Sequence, residues 1–585
     1  MKNNTVKSIV LKTLSDNLFL SIALVLCAIA IVVTGLIPPL LLKQAIDQNF
    51  VLSSQKGLGL LTLIYVLVLF IIGLADFLKG VVLTNLGQKI SYQLRSVSMA
   101  KMHRVNPLYF TKTIEGETVS RIINDTEAVD VLFTGGIVSM VIDLFKILGI
   151  VFSIFILSTR IGWVTLALIP FIILITRLFQ KGMLKAQKQS RALIGVISQR
   201  IAEGLRNILL IKANGHERTI IDRFKETLKQ HYFSNEDINV YDSFFPVVIQ
   251  IVKAISIALF IISFVSKTQW FTITIGSIAA AIELISNLFD PIENIGSEMQ
   301  TIQQAVAAID RIDDYLAQAE EELRDVELRS EDILKEDSAI LSFKHVSFYY
   351  EANQFILKDI DLELRGGQQV SFVGRTGVGK STLLKLVMGL LPPSEGSISL
   401  NNIDVYKIPH GVQRRIYGSV DQNFPMINGT LKQQITLHDP NISSEMVLSA
   451  LTKVGLEELC IQSTKGIDAI IPSELQLSEG QKQLIAIARA IATDPPILIL
   501  DEISSGLDSI ASAQINDILK KVSKKRIVLS VTHRLSTIDD DEIVVILQDG
   551  KIRKQGLASE LKESDTWFKK AIQLEQLAYT NNDSK

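Results

Sequence analysis

Cysteine is nearly missing from this chain: 585 residues hold two, Cys27 and Cys460, in segments of very different character. That leaves no disulfide framework and no zinc cluster of three or four ligands, and it suits a reducing compartment or a membrane. Net charge is nearly missing too, since 59 basic and 61 acidic residues give −2. Without a global basic excess to neutralise phosphates, nucleic acid is not expected as a main partner. Charged residues of any sign are few, 21% against 48% apolar, and mean hydropathy is +0.31. Such averages fit either one greasy globule or an apolar half joined to an ordinary soluble half. The length, about four times 150 residues per domain, calls for more than one folding unit.

Position decides between the two. From Asn17 to Leu42 no Asp, Glu, Lys or Arg occurs over 26 residues, enough to cross a hydrocarbon core of about 30 Å. Leu58 to Ala75 and Ile161 to Thr176 are also free of charge. Val131 to Ser158 carries only Asp143 and Lys146, Ser243 to Ser266 only Lys253, and Thr268 to Phe289 only Glu283. Six membrane helices are therefore expected before about residue 300. The stretches between the second and third runs and between the fourth and fifth keep helical apolar periodicity with interspersed charge, which predicts helices continuing far into water. One from Leu58 to about His103 would be roughly 70 Å long. Asn106-Pro107 and Glu203-Gly204 are the expected turns at the far ends. The segment through Leu14, with Lys2, Lys7 and Lys12 among apolar residues, is expected to lie on the membrane surface; a cleaved signal peptide is not expected. The Lys/Arg bias is too even to orient the helices.

Membrane ions call for an explanation because each is costly at the bilayer centre. Asp143, Lys146, Lys253 and Glu283 fall at similar depth, about 18 to 22 Å from the outer ends, and sum to zero charge. Interhelical pairing is the expected reason. On the sixth run Glu283, Asn287, Asp290 and Asn294 follow i, i+4, i+7, i+11 and share one helix face, a candidate lining for a substrate pathway, with Pro291 allowing the helix to flex. Residues after about Thr301 turn charged through Ala339, including Glu320-Glu321-Glu322, and read as a helical extension and a solvated acidic linker.

From Ile340 onward apolar strand runs alternate with helical stretches, an α/β pattern. The strand Gln369–Val373 runs into Gly374-Arg375-Thr376-Gly377-Val378-Gly379-Lys380-Ser381-Thr382 and then a helix. This is a phosphate-binding loop in its required context. Backbone N–H groups and a helix N-terminus approach the phosphates, Lys380 supplies charge, and the Ser381 hydroxyl can ligate Mg²⁺. A second apolar strand, Ile497–Leu500, ends in Asp501-Glu502, a metal-holding carboxylate followed by one able to polarise water.

Leu477-Ser478-Glu479-Gly480-Gln481, followed by Lys482 to Ala490 and the acidic strand, resembles the ATP-binding cassette family, whose signature usually has Gly at its third position. The resemblance extends to Gln422 in Val420-Asp421-Gln422, to Ser505-Gly506-Leu507-Asp508, to His533 in Val531-Thr532-His533-Arg534, and to Tyr350 at the family's adenine-stacking position. Phe110 to Asp130 and Glu203 to Phe224 resemble the two intracellular loops of the family's exporters, so the likeness covers nearly the whole chain.

The fold implied is an α-helical domain of six transmembrane helices fused to an α/β nucleotide-binding domain. The segments are 1–16 interfacial, 17–310 transmembrane, 311–339 linker and 340–580 cassette. The family resemblance implies a half-transporter working as a pair, with ATP and Mg²⁺, multi-pass in the cell membrane with the cassette in the cytoplasm. Each ATP would lie between the phosphate loop of one chain and the signature of the other. Glu502 is the implied general base, His533 the γ-phosphate contact, and Gln422 the link between metal and membrane domain. Ser381, Gln422 and Asp501 are the implied metal ligands, and Asp508 the contact across the pair. Short transverse segments near Gly116 and Asn207 would reach the cassettes.

Glu479 in place of glycine and Ile471-Pro472-Ser473-Glu474-Leu475 in place of a Gly-rich acidic stretch depart from the pattern without removing a catalytic group. One chain holds every catalytic element, so a homodimer would have two competent sites, while a heterodimer stays open. The expected cargo is a hydrophobic or amphiphilic compound, peptide or lipid. An ATP-gated channel and a regulatory ATPase are the alternatives, and no leader-peptide cleavage is expected.

Overall fold

The computed structural model describes residues 5–580 apart from 52–56, 114, 266–273, 322–323, 325–327, 335–338, 352–353, 423, 463–464, 472–476, 504–508 and 525. The chain divides into two compact units. One comprises Met1–Val105 with Thr113–Glu320; the other comprises Asn106–Lys112 with Glu321–Lys585.

In the first unit, six helices among the described residues are long and apolar enough to cross a bilayer. The first is interrupted at Leu36, because Pro38 and Pro39 open the next stretch, Ile37–Ala45, where their missing N–H groups cost nothing. The second runs unbroken from Leu58 to Met102, 45 residues or about 67 Å, as its periodicity requires. The third ends at Leu157 and carries two π-helical segments, Arg121–Asp125 and Leu132–Gly136. The fourth and fifth are Thr159–Arg206 and Glu217–Val265, joined by a short helix, Ile208–Ala213. The expected break at Glu203-Gly204 is absent; the helix continues to Arg206 and turns at Asn207, since the helix formers around a lone glycine outweigh its cost of about 1 kcal/mol.

The sixth helix, Ile275–Leu316, holds Pro291 internally. Its Ala281, Leu284, Ile285, Leu288, Phe289 and Ile292 pack with Ile150, Ile154, Ile172, Ile249 and Val252 from the third, fourth and fifth helices. At its N-terminus the Asp47 carboxylate accepts from Thr274 Oγ1 (2.6 Å) and Gly276 N (2.9 Å). A Cβ on Gly276 would collide with the Lys43 carbonyl, so glycine is what lets the outer ends of the first and sixth helices meet.

The N-terminal helix Val6–Asp16 packs on the protein along one side. Val6, Ile9 and Val10 are buried against Ile90, Leu94, Val129 and Ile312, and Val6 N donates to Asp313 Oδ1 at 2.7 Å. Its apolar side thus packs on protein, and only the opposite side, with Lys7, Leu11 and Lys12, is exposed.

The second unit is built on a six-stranded sheet in the order Lys551–Leu557, Ile543–Gln548, Gln369–Val373, Ile527–Val531, Ile497–Asp501, Tyr417–Val420. All neighbours pair in parallel except the outermost hairpin, Ile543–Gln548 with Lys551–Leu557. Strands such as Ile497–Leu500 are buried throughout, which is why they read as continuous apolar runs. A four-stranded antiparallel sheet, Phe355–Arg365, Ile340–Tyr349, Glu395–Leu400, Ile403–Asp404, completes this unit's layers.

Candidate functional site

The phosphate loop leaves the C-terminal end of the central strand Gln369–Val373 and enters the helix Lys380–Val387, the place where open parallel sheets bind ligands. Gly377 and Gly379 have φ of 83° and 103°, a region that suits glycine. A side chain on Gly379 would also sit 2.9 Å from Ile356 and Leu357 atoms. Gly374 and Val378 are half-buried, and Arg375, Thr376 and Gly377 are exposed. The Lys380 ammonium bends over the loop, donating to the carbonyls of Gly374 (2.9 Å) and Arg375 (3.2 Å). Burial lowers its pKa from the usual lysine range, opposed by the carboxylates of Glu502 and Asp501. Tyr350 packs edge-on against Phe348 with centroids 4.9 Å apart, and its hydroxyl lies 3.4 Å from Thr382 Oγ1.

Asp501 ends its strand beside this loop. Burial pushes its carboxyl up from the ordinary aspartate range, while a hydrogen bond with the Ser381 hydroxyl works against the shift. Glu502 follows with φ 51°, a conformation uncommon outside glycine, fixed by its N–H donating to Val531 O at 3.0 Å. That turn presents the carboxylate to two partners: Gln422 Nε2 donates to Oε2 at 2.7 Å, and His533 Nε2 lies 2.7 Å from Oε1. Residues 80 and 31 positions away in sequence thus meet on one carboxylate.

The signature opens the helix Glu479–Ile491. Ser478 caps it: Ser478 Oγ accepts from Gln481 N (3.2 Å) and Gln481 Oε1 accepts from Ser478 N (2.9 Å), a reciprocal capping box. Leu477 packs on the core beneath, whereas Ser478 and Glu479 are exposed and Gly480 half-buried. The extra charge of Glu479 is met by Lys482 Nζ at 3.0 Å, one turn on. Among the described residues no hydrogen bond or ion pair joins the signature to the phosphate loop of the same chain. Asp508 and the residues Ser505 to Leu507 lie outside the described residues, as do 472–476 of the stretch before the signature.

On the sixth membrane helix, Asn287, Asp290 and Asn294 are exposed, Glu283 half-buried and Pro291 buried. Asn294 Nδ2 donates to Asp143 Oδ2 at 3.1 Å. The expected interhelical ion pairing is not what forms. Asp143 pairs with Lys146 of its own helix at 3.7 Å, because i, i+3 neighbours share a face. Lys253 and Glu283 are in no ion pair among the described residues.

Comparison with known proteins agrees with this geometry. Residues 21–292 match the family described as the ABC transporter transmembrane region, and residues 357–505 match the one described as ABC transporter. The chain belongs to the ABC transporters. The "Probable multidrug resistance ABC transporter ATP-binding/permease protein YheH" of Bacillus subtilis (strain 168) is 27% identical, over 92% of this chain and 79% of that one. The ATP-dependent lipid A-core flippase of Legionella pneumophila (strain Paris) is 26% identical over 92% and 91%. A bacterial Atm1-family ABC exporter with ATP bound has the same fold, with a TM-score of 0.77 at 21% identity over 94% of this chain and 97% of that one. This ABC transporter is a multi-pass membrane protein of the exporter type, with a C-terminal nucleotide-binding domain and ATP hydrolysis coupled to transport.

Two features of the transporter escaped the sequence reading. Glu320 accepts from Lys101 Nζ at 3.1 Å and Glu321 is largely buried, so these two acids are not a solvated face; Glu322 lies outside the described residues. A buried polar chain also crosses the sheet. Ser371 Oγ donates to Glu542 Oε1 at 2.6 Å and lies 2.6 Å from Ser530 Oγ. Burial pushes the Glu542 carboxyl up from its ordinary range, with the Ser371 bond opposing. The available signal was a serine in the middle of each of two apolar strands.

Proposed function

We propose that two copies of this chain work together, each ATP held between the phosphate loop of one and Ser478, Gly480 and the signature-helix N-terminus of the other. The supporting observation is the contrast between a Glu502 carboxylate fully engaged within its own chain and a capped signature left open to solvent. A helix N-terminus attracts anions, so the open signature suits a phosphate arriving from elsewhere. The exposed tip between the fourth and fifth membrane helices adds to this: Leu205, Leu209 and Leu210 are 70, 80 and 63% exposed, and a second copy is the occupant that would cover them.

In this reading Tyr350 stacks on adenine and Lys380 balances phosphate charge. Glu502 accepts a proton from the water that attacks the γ-phosphorus as the bond to the β-phosphate oxygen breaks. His533 holds the γ-phosphate, and Asp508 touches the partner. Ser381, Gln422 and Asp501 offer the hard oxygen donors that Mg²⁺ prefers, and the ion would spread phosphate charge when bound. The cassette faces the cytoplasm. ATP draws the cassettes together, hydrolysis releases them, and the membrane helices alternate between inward and outward access.

The cargo is a hydrophobic or amphiphilic compound or peptide, and the acidic stripe at Glu283, Asn287, Asp290 and Asn294 favours cationic members of that class. A lipid is the second reading, favoured by the likeness to proteins named lipid A-core flippases. ATP hydrolysis in lipid nanodiscs against cationic drugs, peptides and lipids tests both. Cationic amphiphiles should stimulate, and Asp290→Lys should abolish that stimulation; stimulation by lipid alone, unchanged in Asp290→Lys, would select the second.

A further inference from the structure

The two compact units divide between adjacent residues of one chain segment, Glu320 and Glu321, and each is fastened on its own side. Within the membrane unit, Glu320 pairs with Lys101 at 3.1 Å and forms a β-bridge with Val105, while Lys101 also donates to Gln318 O at 2.6 Å. Tyr315, one of the last residues of the sixth helix, donates to Ser98 O at 3.3 Å. Within the cassette unit, Glu321 pairs with Arg324 and, at 2.9 Å, with His410 Nε2. No free length of chain separates the two fastenings.

Arg324 is the centre of the cassette fastening. Its side chain is 6% exposed and that of Glu321 10%. The guanidinium donates to Ile408 O at 2.9 Å and Gly389 O at 2.8 Å, binds Glu321, and lies over the Tyr406 ring at 5.3 Å. A planar fork that donates in several directions is what arginine offers and lysine does not. Leaving a buried charge uncompensated is strongly unfavourable, so these contacts hold as a set.

The elements gripped are the two that lead to the nucleotide site. Gly389 follows the C-terminal end of the phosphate-loop helix Lys380–Val387, about 12 Å from the phosphate end. His410 opens the helix His410–Ile416, which passes directly into the strand Tyr417–Val420 and then Gln422, the residue bonded to Glu502. Gln413 of the same helix donates to Met388 O at 3.0 Å, tying the two elements together beside Arg324.

We propose that Arg324 is a positioning residue for coupling. It clamps the segment descending from the sixth membrane helix onto the phosphate-loop helix and the Gln422 element, so their nucleotide-driven movement enters the membrane unit through a main chain without slack. The proposal rests on the nucleotide site assigned above. Burial alone would raise the Glu321 carboxyl, but Arg324 and His410 hold it below the ordinary glutamate range, consistent with a charged clamp at neutral pH.

The test uses full-length protein in nanodiscs with Cys27 and Cys460 replaced by serine, a single cysteine at Asn287, and Glu502→Gln to trap ATP. Maleimide labelling at 287 is timed with and without Mg·ATP. With the native linker, ATP should change the labelling rate about fivefold or more; no change there would count against the nucleotide-site reading and leave the clamp without its foundation. Arg324→Gln, and separately two glycines inserted between Glu320 and Glu321, should leave ATP binding intact yet reduce that change to under about twofold. Arg324→Lys should fall between. Labelling that still responds fully to ATP in the insertion variant overturns the proposal, as does loss of ATP binding in Arg324→Gln, which would make the residue part of the binding site's own scaffold.

Discussion

The two intracellular turns of the membrane half, both carrying apolar residues in sequence, end up in opposite circumstances. The first, Asn106–Lys112, falls with the cassette unit, and its Leu108 packs against the main cassette core. The second, Ile208–Ala213, presents Leu209 and Leu210 to solvent. Exposed apolar patches of that kind mark interaction surfaces. The difference teaches that one turn is covered within its own chain while the other is bare, just as Glu502 is engaged and the signature is open.

The largest expected effect sharpens the engaged side. Glu502→Gln should lower hydrolysis about 10²- to 10⁴-fold with ATP still bound, and in that trapped form a protease should cut the second tip more slowly while the first is unaffected. Next, Leu209→Asp with Leu210→Asp should cut hydrolysis about tenfold or more without shifting the unfolding of the cassette, measured by activity and by thermal melts side by side. A parallel loss of cassette stability would break the comparison. Leu108→Ala should do the reverse, destabilising the folded chain by about 1 to 2 kcal/mol in denaturant titrations because it removes packing already made within one chain. The smallest effect is a pH slope. The Glu542 carboxyl is raised in the fold, so its contribution is complete below the ordinary glutamate range and is lost as pH rises through the raised value. Glu542→Gln should flatten that part of the melting-temperature profile.

Charge-free runs and helical periodicity made the membrane half legible to within a few residues. The helix read as Leu58 to about His103 ends at Met102. The phosphate loop, Asp501-Glu502 and the signature were legible because each is a local pattern with local chemistry. What stayed hidden depends on packing at a distance. Nothing in a list of residues says that Gln422 and His533 meet on one carboxylate, or that Asp143 forms its ion pair with Lys146 of its own helix while its other oxygen accepts from Asn294 of the sixth. The acidic run at Glu320-Glu321 looked solvated because two of its partners, Lys101 and His410, come from distant parts of the chain, and the nearby Arg324 is itself buried. For the N-terminal helix, amphipathicity did not reveal that Val6, Ile9 and Val10 pack on protein.

In the proposed pairing, ATP is consumed between two chains. Hydrolysis per chain should be compared in nanodiscs separated by mass into those holding one copy and those holding two. Discs with two copies should hydrolyse at least about tenfold faster per chain, as a site completed only by its partner requires. Equal rates per chain in both populations would contradict it.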